Sequence, residues 1–593
     1  GFTFDEANSS KRQSVVYANG KTVLNMYYTA DDASESNRTQ IADGGFEKGE
    51  LGKNWTMQGD IGGVSSETHY FKNDELSAEG FPFGLDGTYM FSAFAKSSGD
   101  EKVGWLKSSV FTVSENGWLT FKMGGGGDNR LLYIDVIESE TGKVLKRFAN
   151  QNFTKETENN VKPGCRLNAY KANLKDLAGK TVYLRVTDGD AGGSTKKYGT
   201  IFLDSFNARH IGEPSDAFAL ATDLLTVSDY NANALYNGTF DDGLAGWKME
   251  GEIGVIQNTT DYWGNGKYEN NGKFFSAYKT TGEGDGNSLE NNRGTLQSAP
   301  FILGASGVVT FRIGGMGDYE KVYLEILDWE TGEVYGKYYN EYMNRCTLIS
   351  YYADLSEYIG RTLYFRFTDA AGGGNYGLIF ADDIITYYKN TDVARTYKQS
   401  NNVIYNIVNG DFETGNLFGW TIKTNFSDRG ALIGIEDAAT WNMGGVDHPY
   451  NKDGNWFASG WKGAENQTGT ITSSAFVVGG SGYMTLKLGG ANPANNMKYE
   501  IIDAETEEVL VTYCNQNYKD GDLSTVDPAE KGTFLANMVL YKVDLGAYKG
   551  RKLRIRFVDG AEGGWGLFFI DSVKTYYANI KDVPANAVLA NAI

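Results

Sequence analysis

The sequence predicts an all-β protein built from three tandem β-sandwich modules, and three observations lead to this fold class. The same order of motifs occurs three times along the 593 residues. Glycine is abundant, with 75 residues, and aromatic residues make up 14% of the chain, a composition that favours strands and turns over helices. Apolar and polar residues alternate in the recurring segments, as they do in strands with one buried face.

Each repeat opens on a motif in which a phenylalanine precedes a tryptophan. The openings are DGGFEKGELGKNW, NGTFDDGLAGW and NGDFETGNLFGW, and their aromatic pairs are Phe46 and Trp55, Phe240 and Trp247, and Phe412 and Trp420. A glycine-rich middle and a closing segment with an aspartate follow in the same order each time. The sequence is therefore one module used three times, and we expect the three tryptophans to lie in the cores.

The spacing of these motifs predicts the domain boundaries. We expect modules at residues 41–210, 235–388 and 406–577, a tail and linker at 1–40, a partly helical linker at 211–234, a polar linker at 389–405 and an exit segment at 578–593. Each module should hold about eight to ten strands, with hairpins at SETGKVL and WETGEVY. YLRVTD reads as a half-buried strand, with Tyr183 and Arg185 on one side and Leu184 and Val186 on the other. This pattern indicates a jelly roll or a similar sandwich.

Charge and composition exclude several partners. The formal net charge is −20 and no basic block is present, so nucleic acid and anionic membrane surfaces are not expected to bind. No apolar run reaches the length of about 18 residues that a membrane-spanning helix needs. The three cysteines, at wide spacing, provide no disulfide framework. We expect a monomer without membrane insertion.

The opening NGDFETGNLFGW and the closing FFIDSV resemble the calcium-containing β-sandwich carbohydrate-binding modules with a galactose-binding-like jelly roll. The segment WNMGGVDHPYNKDGNWFASGW, followed by SSAFVVGGSGYMTLKLGG, is more particularly similar to modules attached to bacterial fructan-degrading glycoside hydrolases. The resemblance covers residues 41–577. Residues 1–30 resemble the tail of a β-grasp repeat of Gram-positive surface proteins. This second resemblance implies a large multimodular protein, secreted or attached to the cell wall, with further domains before Gly1.

The resemblance implies a structural calcium ion in each module, about one per copy. Hard cations bind several oxygen ligands, including carboxylates. The expected ligands are an acid after each opening phenylalanine and an aspartate in each closing strand: Glu47 and Asp204, Asp241 and Asp382, and Glu413 and Asp571. The alternative is that these carboxylates cap turns or lie in solvent.

Loop aromatics are candidates for a sugar platform, because aromatic faces cover the apolar C–H faces of sugar rings. One aromatic lies in a Gly/Asn-rich loop after each opening, and a second follows the next strand. The candidates are Tyr70 and Phe94 in the first copy, Trp263 and Tyr278 in the second, and Trp441, Trp461, His448 and Tyr450 in the third. The alternative, that these rings are part of the core, stays open.

Polar residues in two recurring turns are candidates for fixing sugar hydroxyls. The glycine-rich turns would let the backbone approach a ligand, and they carry Asp128, Asp318 and Asn492. The later turns carry Asp188, Asp369 and Asp559, each three residues after an arginine. A structural salt bridge between the arginine and the aspartate is the preferred interpretation of this pairing, and ligand binding is the alternative.

No pattern in this segment indicates catalysis. The three histidines form no HExxH motif or Cys/His metal spacing, and no GxSxG motif is present. A pair of carboxylates could in principle serve a glycosidase, but threefold repetition is typical of binding modules. We therefore predict non-catalytic binding of a polysaccharide or oligosaccharide, with fructan (levan or inulin) first. The alternatives are an adhesin that binds a host protein, and modules that act only as spacers.

Overall fold

The computed structural model describes residues 2–4, 28–30, 39–72, 78–95, 101–153, 162–192, 199–262, 266–278, 289–342, 346–372, 377–392, 396–424, 432–443, 445–463, 467–518, 535–561 and 566–593. These residues form strands, turns and short 3₁₀ helices, with no α-helix among them. The prediction of an all-β fold with three modules is confirmed. None of the described helices has the length and apolarity to cross a membrane. The predicted β-grasp-like tail falls mainly outside the described ranges, which contain only β1 (Phe2–Phe4) and β2 (Tyr28–Ala30) from it.

Module 1 contains fourteen strands in its described part. They are β3 (Trp55–Gln58), β4 (Gly63–Ser65), β5 (His69–Tyr70), β6 (Phe81–Pro82), β7 (Met90–Ser92), β8 (Gly104–Ser108), β9 (Phe111–Thr112), β10 (Trp118–Gly125), β11 (Leu132–Glu138), β12 (Val144–Phe148), β13 (Asn168–Asn173), β14 (Thr181–Asp188), β15 (Ile201–Asn207) and β16 (Ala219–Leu220).

Module 2 repeats these strands in the same order. They are β17 (Trp247–Glu250), β18 (Val255–Gln257), β19 (Asp261–Tyr262), β20 (Gly266–Lys267), β21 (Phe274–Ser276), β22 (Gly294–Ser298), β23 (Phe301–Ile302), β24 (Val308–Gly315), β25 (Val322–Asp328), β26 (Val334–Tyr338), β27 (Ile349–Asp354), β28 (Thr362–Asp369), β29 (Ile379–Ile385) and β30 (Lys398–Gln399).

Module 3 repeats them once more. They are β31 (Thr421–Thr424), β32 (Gly434–Glu436), β33 (Thr440–Met443), β34 (Val446–Pro449), β35 (Phe457–Ser459), β36 (Gly469–Thr472), β37 (Phe476–Val477), β38 (Tyr483–Gly490), β39 (Lys498–Asp503), β40 (Val509–Tyr513), β41 (Val539–Asp544), β42 (Lys552–Asp559), β43 (Phe568–Lys574) and β44 (Val588–Leu589).

Each module is a sandwich of two sheets. In module 1 one sheet has the order β16-β13-β10-β15-β7-β4, and the other has the order β12-β11-β14-β8-β3 with β9 also paired to β14. Modules 2 and 3 have the same orders. Residues Ala30–Ser400, which hold modules 1 and 2, form one compact unit, and Asn401–Ile593, which hold module 3, form another. Each module has a main core of buried apolar side chains, and the core of module 1 also includes Tyr236, Ala245 and Ala299 of module 2.

The segments predicted as linkers differ from the expectation. Residues 211–234 contain no α-helix; they supply strand β16, which pairs in parallel with β13, and a 3₁₀ turn at Leu224–Thr226. Residues 389–405 and 578–593 supply β30 and β44 in the same way. The physical reason is that β13, β27 and β41 would otherwise end their sheets with unpaired backbone groups, and the following chain pairs with them.

The predicted half-buried strand YLRVTD is wrong in module 1, whereas the equivalent strand alternates throughout in module 3 and only from Arg366 onward in module 2. In β42 of module 3, buried and half-buried residues alternate, as expected. In β14 of module 1, all residues after Thr181 are buried on both faces. Alternation of apolar and polar residues predicts that one face of a strand is buried. In β14 the other face is buried as well, because residues of module 2 contact it.

The predicted hairpins SETGKVL and WETGEVY are confirmed as β11–β12 and β25–β26. Gly142 and Gly332 take left-handed φ angles of 68° and 70° in their turns. Glu507 holds the same position in module 3 with a φ of 59°.

The glycine-rich turns approach the module's own backbone, not an open surface. Gly125, Gly315 and Gly490 have φ angles of 70°, 70° and 64°. A Cβ atom at these positions would lie 2.1, 2.2 and 2.2 Å from backbone carbonyl oxygens, those of Thr200, Leu378 and Leu567. Glycine is therefore required at the ends of β10, β24 and β38, where the backbone lies against the residue that precedes the closing strand.

We predict that Gly490→Ala lowers the free energy of unfolding of module 3 by about 3 kcal/mol or more, because it combines left-handed strain with a backbone clash. Gly550→Ala is the matched control: its φ is 82° and no atom lies within 4 Å of the added Cβ. We expect that control to cost about 1 kcal/mol. Hydrogen exchange of β38 and β43 in the intact chain, measured as a function of urea, gives both values. Equal costs would contradict the clash.

Candidate functional site

The opening motif of each module is a tight turn that closes on its own tryptophan. The indole Nε1 of Trp55, Trp247 and Trp420 donates to the backbone carbonyl of Asp43, Asn237 and Asn409, at 3.0 Å in all three modules. All three tryptophans are buried, as predicted. The opening phenylalanines take left-handed φ angles near 57°, with values of 58°, 57° and 56°. This turn places the following acid beside the closing strand.

In module 1 the closing-strand aspartate holds a loop through its backbone. Asp204 is fully buried, and its Oδ2 accepts a hydrogen bond from the N–H of Asp86 at 2.7 Å. Its Oδ1 accepts from the N–H of Ser205 at 2.6 Å. Glu47 accepts from the N–H groups of Thr88 (3.0 Å) and Tyr89 (3.2 Å) in the same loop. The two predicted ligands therefore hold opposite ends of one loop against the sheet.

A basic side chain lies beside the buried aspartate. We call the resulting group of four side chains the clasp, and in module 1 it consists of Asp86, Lys122, Asp204 and Ser205. Lys122 faces Asp204 in the strand register and donates to Asp86 at 2.6 Å and to the carbonyl of Gly84 at 3.0 Å. The hydroxyl of Ser205 donates to Asp86 at 2.7 Å. Sequence reasoning missed Lys122, since a lysine within an alternating strand reads as a solvent-facing residue.

Module 3 repeats the clasp with Asp453, Lys487, Asp571 and Ser572. Lys487 donates to Asp453 at 2.7 Å, and the N–H of Asp453 donates to Asp571 at 2.7 Å. Glu413 accepts from the N–H groups of the neighbouring loop residues at 2.7 and 2.8 Å.

Module 2 keeps the charges of the clasp and rearranges them. The loop residue that donates to Asp382 is Asn271, at 2.8 Å, so the position equivalent to Asp86 is not acidic here. The second acid is Asp383, at the position of Ser205, and Arg312 donates to it at 3.3 Å. Each module therefore combines two aspartates with one basic residue. Asp241, the opening acid, accepts from its neighbour Thr239 at 2.9 Å.

The buried aspartates of the closing strands would suit a hard cation, because their negative charge is only partly compensated. Burial raises the pKa of Asp204 to about 6 and the pKa values of Asp382 and Asp571 to about 7, so each carboxylate lacks full compensation for its charge. Glu47 and Asp204, with their counterparts, would hold such an ion together with backbone carbonyls. Within the described ranges, no group of three or more His, Cys, Asp or Glu side chains is arranged to hold a metal. Calcium therefore stays a prediction.

We predict that removing calcium with EDTA lowers the stability of all three modules, by about 2.7 kcal/mol at a free calcium concentration one hundredfold above the dissociation constant. Hydrogen exchange of the intact chain resolves the modules. Asp571→Asn should remove the calcium response from module 3 and leave that of module 1 unchanged. Equal exchange with calcium and with EDTA would contradict a structural ion.

Most of the candidate sugar-platform aromatics lie in a second, smaller core in each module, which we call the loop cluster. It lies between the closing strand and the loops that follow the opening motif. Tyr70, Tyr278, Trp441 and Tyr450 are buried in it. Their exposed fractions are 3%, 3%, 7% and 3%, which favours the core interpretation over a sugar platform. Two of the three free cysteines, Cys165 and Cys346, are buried in the same clusters.

Four aromatic candidates remain, and the three within the described residues lie in different environments. Phe94 is half-buried and packs edge-on against Phe202, with ring centroids 4.9 Å apart. His448 is 2% exposed and contacts Trp441 in the hairpin β33–β34. Trp263 lies outside the described residues. Trp461 differs from all of them, because 43% of its surface is exposed.

Trp461 lies in a 3₁₀ turn at Gly460–Lys462, at the end of β35. Ser459 caps this turn, with its hydroxyl oxygen accepting from the N–H of Trp461 at 3.3 Å. Phe569 of the loop cluster lies below the indole, with ring centroids 6.1 Å apart. Burial raises the pKa of Tyr450, and a hydrogen bond with Trp461 opposes this rise. The indole thus contacts the loop cluster while 43% of the Trp461 surface is exposed.

The polar candidates in the glycine-rich turns serve the turns themselves. Asp128 is 1% exposed, accepts from the N–H of Arg130 at 3.0 Å and pairs with its guanidinium at 3.2 Å. Asp318 pairs with Lys321 at 3.1 Å. Asn492 caps a 3₁₀ turn by accepting from the N–H of Ala494 at 3.0 Å. These contacts favour a structural role for all three.

Asp188, Asp369 and Asp559 do not pair with the arginines that precede them. Each accepts from a backbone N–H two residues later, at 3.2, 3.0 and 3.1 Å. The arginines pair instead with an acid on the neighbouring strand: Arg185 with Asp135, Arg366 with Glu325 and Arg556 with Glu500. Side chains on adjacent antiparallel strands face the same side of a sheet, so these are cross-strand pairs. The predicted salt bridge between loops is wrong in its partner.

Asp559 makes the stability of module 3 depend on pH. Burial raises its pKa to about 7, whereas an unfolded aspartate titrates near about 3.9. Between these values the folded state binds a proton that the unfolded state does not, so stability falls as pH rises, by at most about 1.4 kcal/mol per pH unit. We predict that Asp559→Asn removes this part of the fall, measured by urea unfolding between about pH 4 and about pH 7. The exposed Asp447→Asn should leave it unchanged, and an unaltered profile in Asp559→Asn would contradict the assignment.

A cavity beside the clasp of module 3 was not predicted. It has a volume of about 320 Å³, and Asp411, Asp453, Ser572, Lys574 and Tyr577 are among its lining residues. Asp411 takes the place of Gly45 and Thr239 in the other openings, and Lys574 that of Asn207 and Ile385. Comparison of the three copies could have found both substitutions.

Comparisons with known proteins show likenesses in structure only. No protein-family model matches the chain, and no curated protein matches it. The carbohydrate-binding module TmCBM61, solved with β-1,4-galactotriose, is similar over 28% of this chain and 93% of its own length, with 13% identity and a TM-score of 0.17. The K3 adhesin domain of Lys-gingipain from Porphyromonas gingivalis is similar over 26% of this chain and 96% of its own length, with 18% identity and a TM-score of 0.18.

A third likeness is to the isomalto-dextranase of Arthrobacter globiformis complexed with panose. It covers 50% of this chain and 36% of that enzyme, with 10% identity and a TM-score of 0.14. All three TM-scores are low, so these likenesses indicate no function for this chain.

Proposed function

We propose that the chain is a non-catalytic carbohydrate-binding protein and that module 3 presents its main sugar-binding surface. The observation that carries this proposal is the exposure of Trp461, which has 43% of its surface exposed while its indole contacts Phe569 of the loop cluster. The equivalent side chains Phe94 and Tyr278 in modules 1 and 2 are packed into their loop clusters. Module 3 alone therefore offers an indole at this position.

The surroundings of Trp461 suit a neutral sugar. An indole face covers the C–H groups of a sugar ring with a rigid area, so little conformational entropy is lost on binding. Lys462 and Glu436 pair at 3.1 Å beside it and offer charged hydrogen-bonding groups for hydroxyls. The ligand class is a polysaccharide or an oligosaccharide, and fructan is the first candidate because of the resemblance in the sequence.

The proposal includes the setting of the protein. Modules of this kind hold a secreted or wall-attached glycan-degrading protein on its substrate, and a catalytic domain would lie outside these 593 residues. An extracellular location agrees with three cysteines that form no disulfide, because a fold with three large cores does not need one.

We predict that levan or inulin retards the intact chain in affinity electrophoresis and that Trp461→Ala abolishes the retardation. Loss of a central aromatic costs about 2 kcal/mol or more, a decrease in affinity of about thirtyfold. Xylan, mannan and host mucin belong to the same screen, since the linkage is not fixed by the geometry.

Trp456→Ala is the matched control for this experiment. Trp456 is half-buried, lies five residues earlier and packs near Gly415, so its removal should leave binding unchanged. Retention of binding by Trp461→Ala would overturn the assignment of the site. No retardation by any polysaccharide would overturn the proposed function and favour the adhesin alternative, which a screen against host proteins then tests.

A further inference from the structure

The outer face of one sheet, the face that points away from the module's core, is buried in module 1 and more open in the other modules. The side chain of Arg185, at the centre of this face, is 3% exposed. Its counterparts Arg366 and Arg556 are 34% and 24% exposed. The strands and their pairing are the same in all three copies, so a difference in backbone does not explain this burial.

The turn of hairpin β25–β26 from module 2 covers part of this face. Glu330 in that turn accepts hydrogen bonds from Lys107 and from the hydroxyl of Tyr183, the latter at 2.6 Å. It also pairs with Arg185 at 3.5 Å. The indole N–H of Trp105 donates to the carbonyl of Trp329 at 3.2 Å. We call this contact the Glu330 lock.

A second set of contacts lies beside the lock. Arg361 of module 2 donates to the carbonyl of Thr141 at 2.9 Å, and the N–H of Val144 donates to the carbonyl of Gly360 at 3.1 Å. Arg185 donates to the hydroxyl of Thr362 at 2.6 Å. Backbone groups from both modules take part, so the two surfaces fix each other in orientation as well as in distance.

Electrostatics explain why the lock needs an acid from module 2. Asp135 is fully buried and accepts from two guanidinium groups, Arg147 at 2.7 Å and Arg185 at 3.0 Å. One buried acid beside two buried arginines and Lys107 leaves an excess of positive charge on the face. A buried charge without a partner is costly, and Glu330 supplies the missing negative charge. Burial and the hydrogen bond to Glu330 raise the pKa of Tyr183, which keeps it a donor.

The acid of the turn and the arginine of the face recur in other copies, but the full set of lock residues occurs only between modules 1 and 2. Module 3 has Ala504 in its hairpin where module 2 has Trp329. Module 2 has Thr295 and Gln297 on its outer face where module 1 has Trp105 and Lys107. The pairing surface is thus specific to modules 1 and 2.

We propose that modules 1 and 2 form one rigid body, fixed by the Glu330 lock, and that the outer face of module 1 is an internal docking surface for module 2. The partner that this surface fits is the acidic turn of hairpin β25–β26. Modules 1 and 2 then serve as a rigid two-module support, whereas sugar binding belongs to the Trp461 surface of module 3. That division of roles rests on the proposed function; the lock itself does not.

Pulsed EPR distances on the intact chain test the lock. Spin labels at Lys53→Cys and Asp261→Cys, both exposed, report on modules 1 and 2, with Cys514→Ala to remove the half-buried thiol. We expect a narrow distance distribution, and Glu330→Lys should broaden it because it places a cation against a cationic face. Glu505→Lys, at the equivalent exposed turn position of module 3, should change nothing. A broad distribution without Glu330→Lys, or a narrow one with it, overturns the lock.

Polysaccharide retardation of the same variants tests the division of roles. Glu330→Lys should retain retardation, whereas Trp461→Ala should lose it. A loss in Glu330→Lys would show that modules 1 and 2 take part in binding, and it would overturn the division of roles while the EPR result for the lock stands. Absence of retardation in the unaltered chain contradicts the proposed function and the division with it, and the EPR distances still decide the lock.

Discussion

The buried carboxylate of the closing strand is the interaction on which each module depends. Asp204, Asp382 and Asp571 lie where the last long strand meets the loop that follows the opening motif, and each accepts a backbone N–H from that loop. A register shift in the strand pairing beside them, between Thr120 and Lys122 in module 1, marks a bulge. Bulges of this kind redirect side chains, and here the bulge accompanies a basic residue placed opposite a buried acid. The start and the end of the module are joined at this point.

Comparison of the three copies shows which part of this arrangement is fixed. The acid that forms the ion pair with the basic residue lies in the loop in modules 1 and 3 and on the closing strand in module 2. There, Asn271 and Asp383 stand in the places of Asp86 and Ser205. The basic residue changes from lysine to arginine at the same time. All three copies keep two aspartates and one basic residue while the positions change, so the set of charged groups is more strictly kept than its geometry.

Much of the fold follows from local patterns, and much of the site does not. The alternation in strands such as β42 and the turn chemistry of the hairpins are local, so the sequence predicts them. The burial of Tyr70, Tyr278 and Trp441 is not local: their loops fold over a second core whose other wall is the closing strand, far away in the sequence. The same holds for β14, which reads as half-buried although another module covers its outer face. The prediction that Arg185 forms a salt bridge was correct, but the predicted partner was wrong. Asp188 is three residues away along the same strand, whereas Asp135 lies directly opposite on the neighbouring strand and is therefore closer.

The repeats also show how one scaffold acquires different roles through single positions. The turn of the hairpin after the glycine-rich middle carries Glu330 in module 2 and Glu505 in module 3, and both turns have the same backbone hydrogen bond to an aspartate, at 3.0 Å. Glu330 is half-buried, with a side-chain exposure of 14%, because it contacts the cationic face of module 1, whereas Glu505 is exposed. The second position after β7, β21 and β35 is occupied by Phe94, Tyr278 and Trp461, and of these three only Trp461 is exposed. Surface positions can diverge in this way because the clasp, the glycine turns and the two cores already determine the fold, so a change at a turn alters what the module contacts without altering its shape.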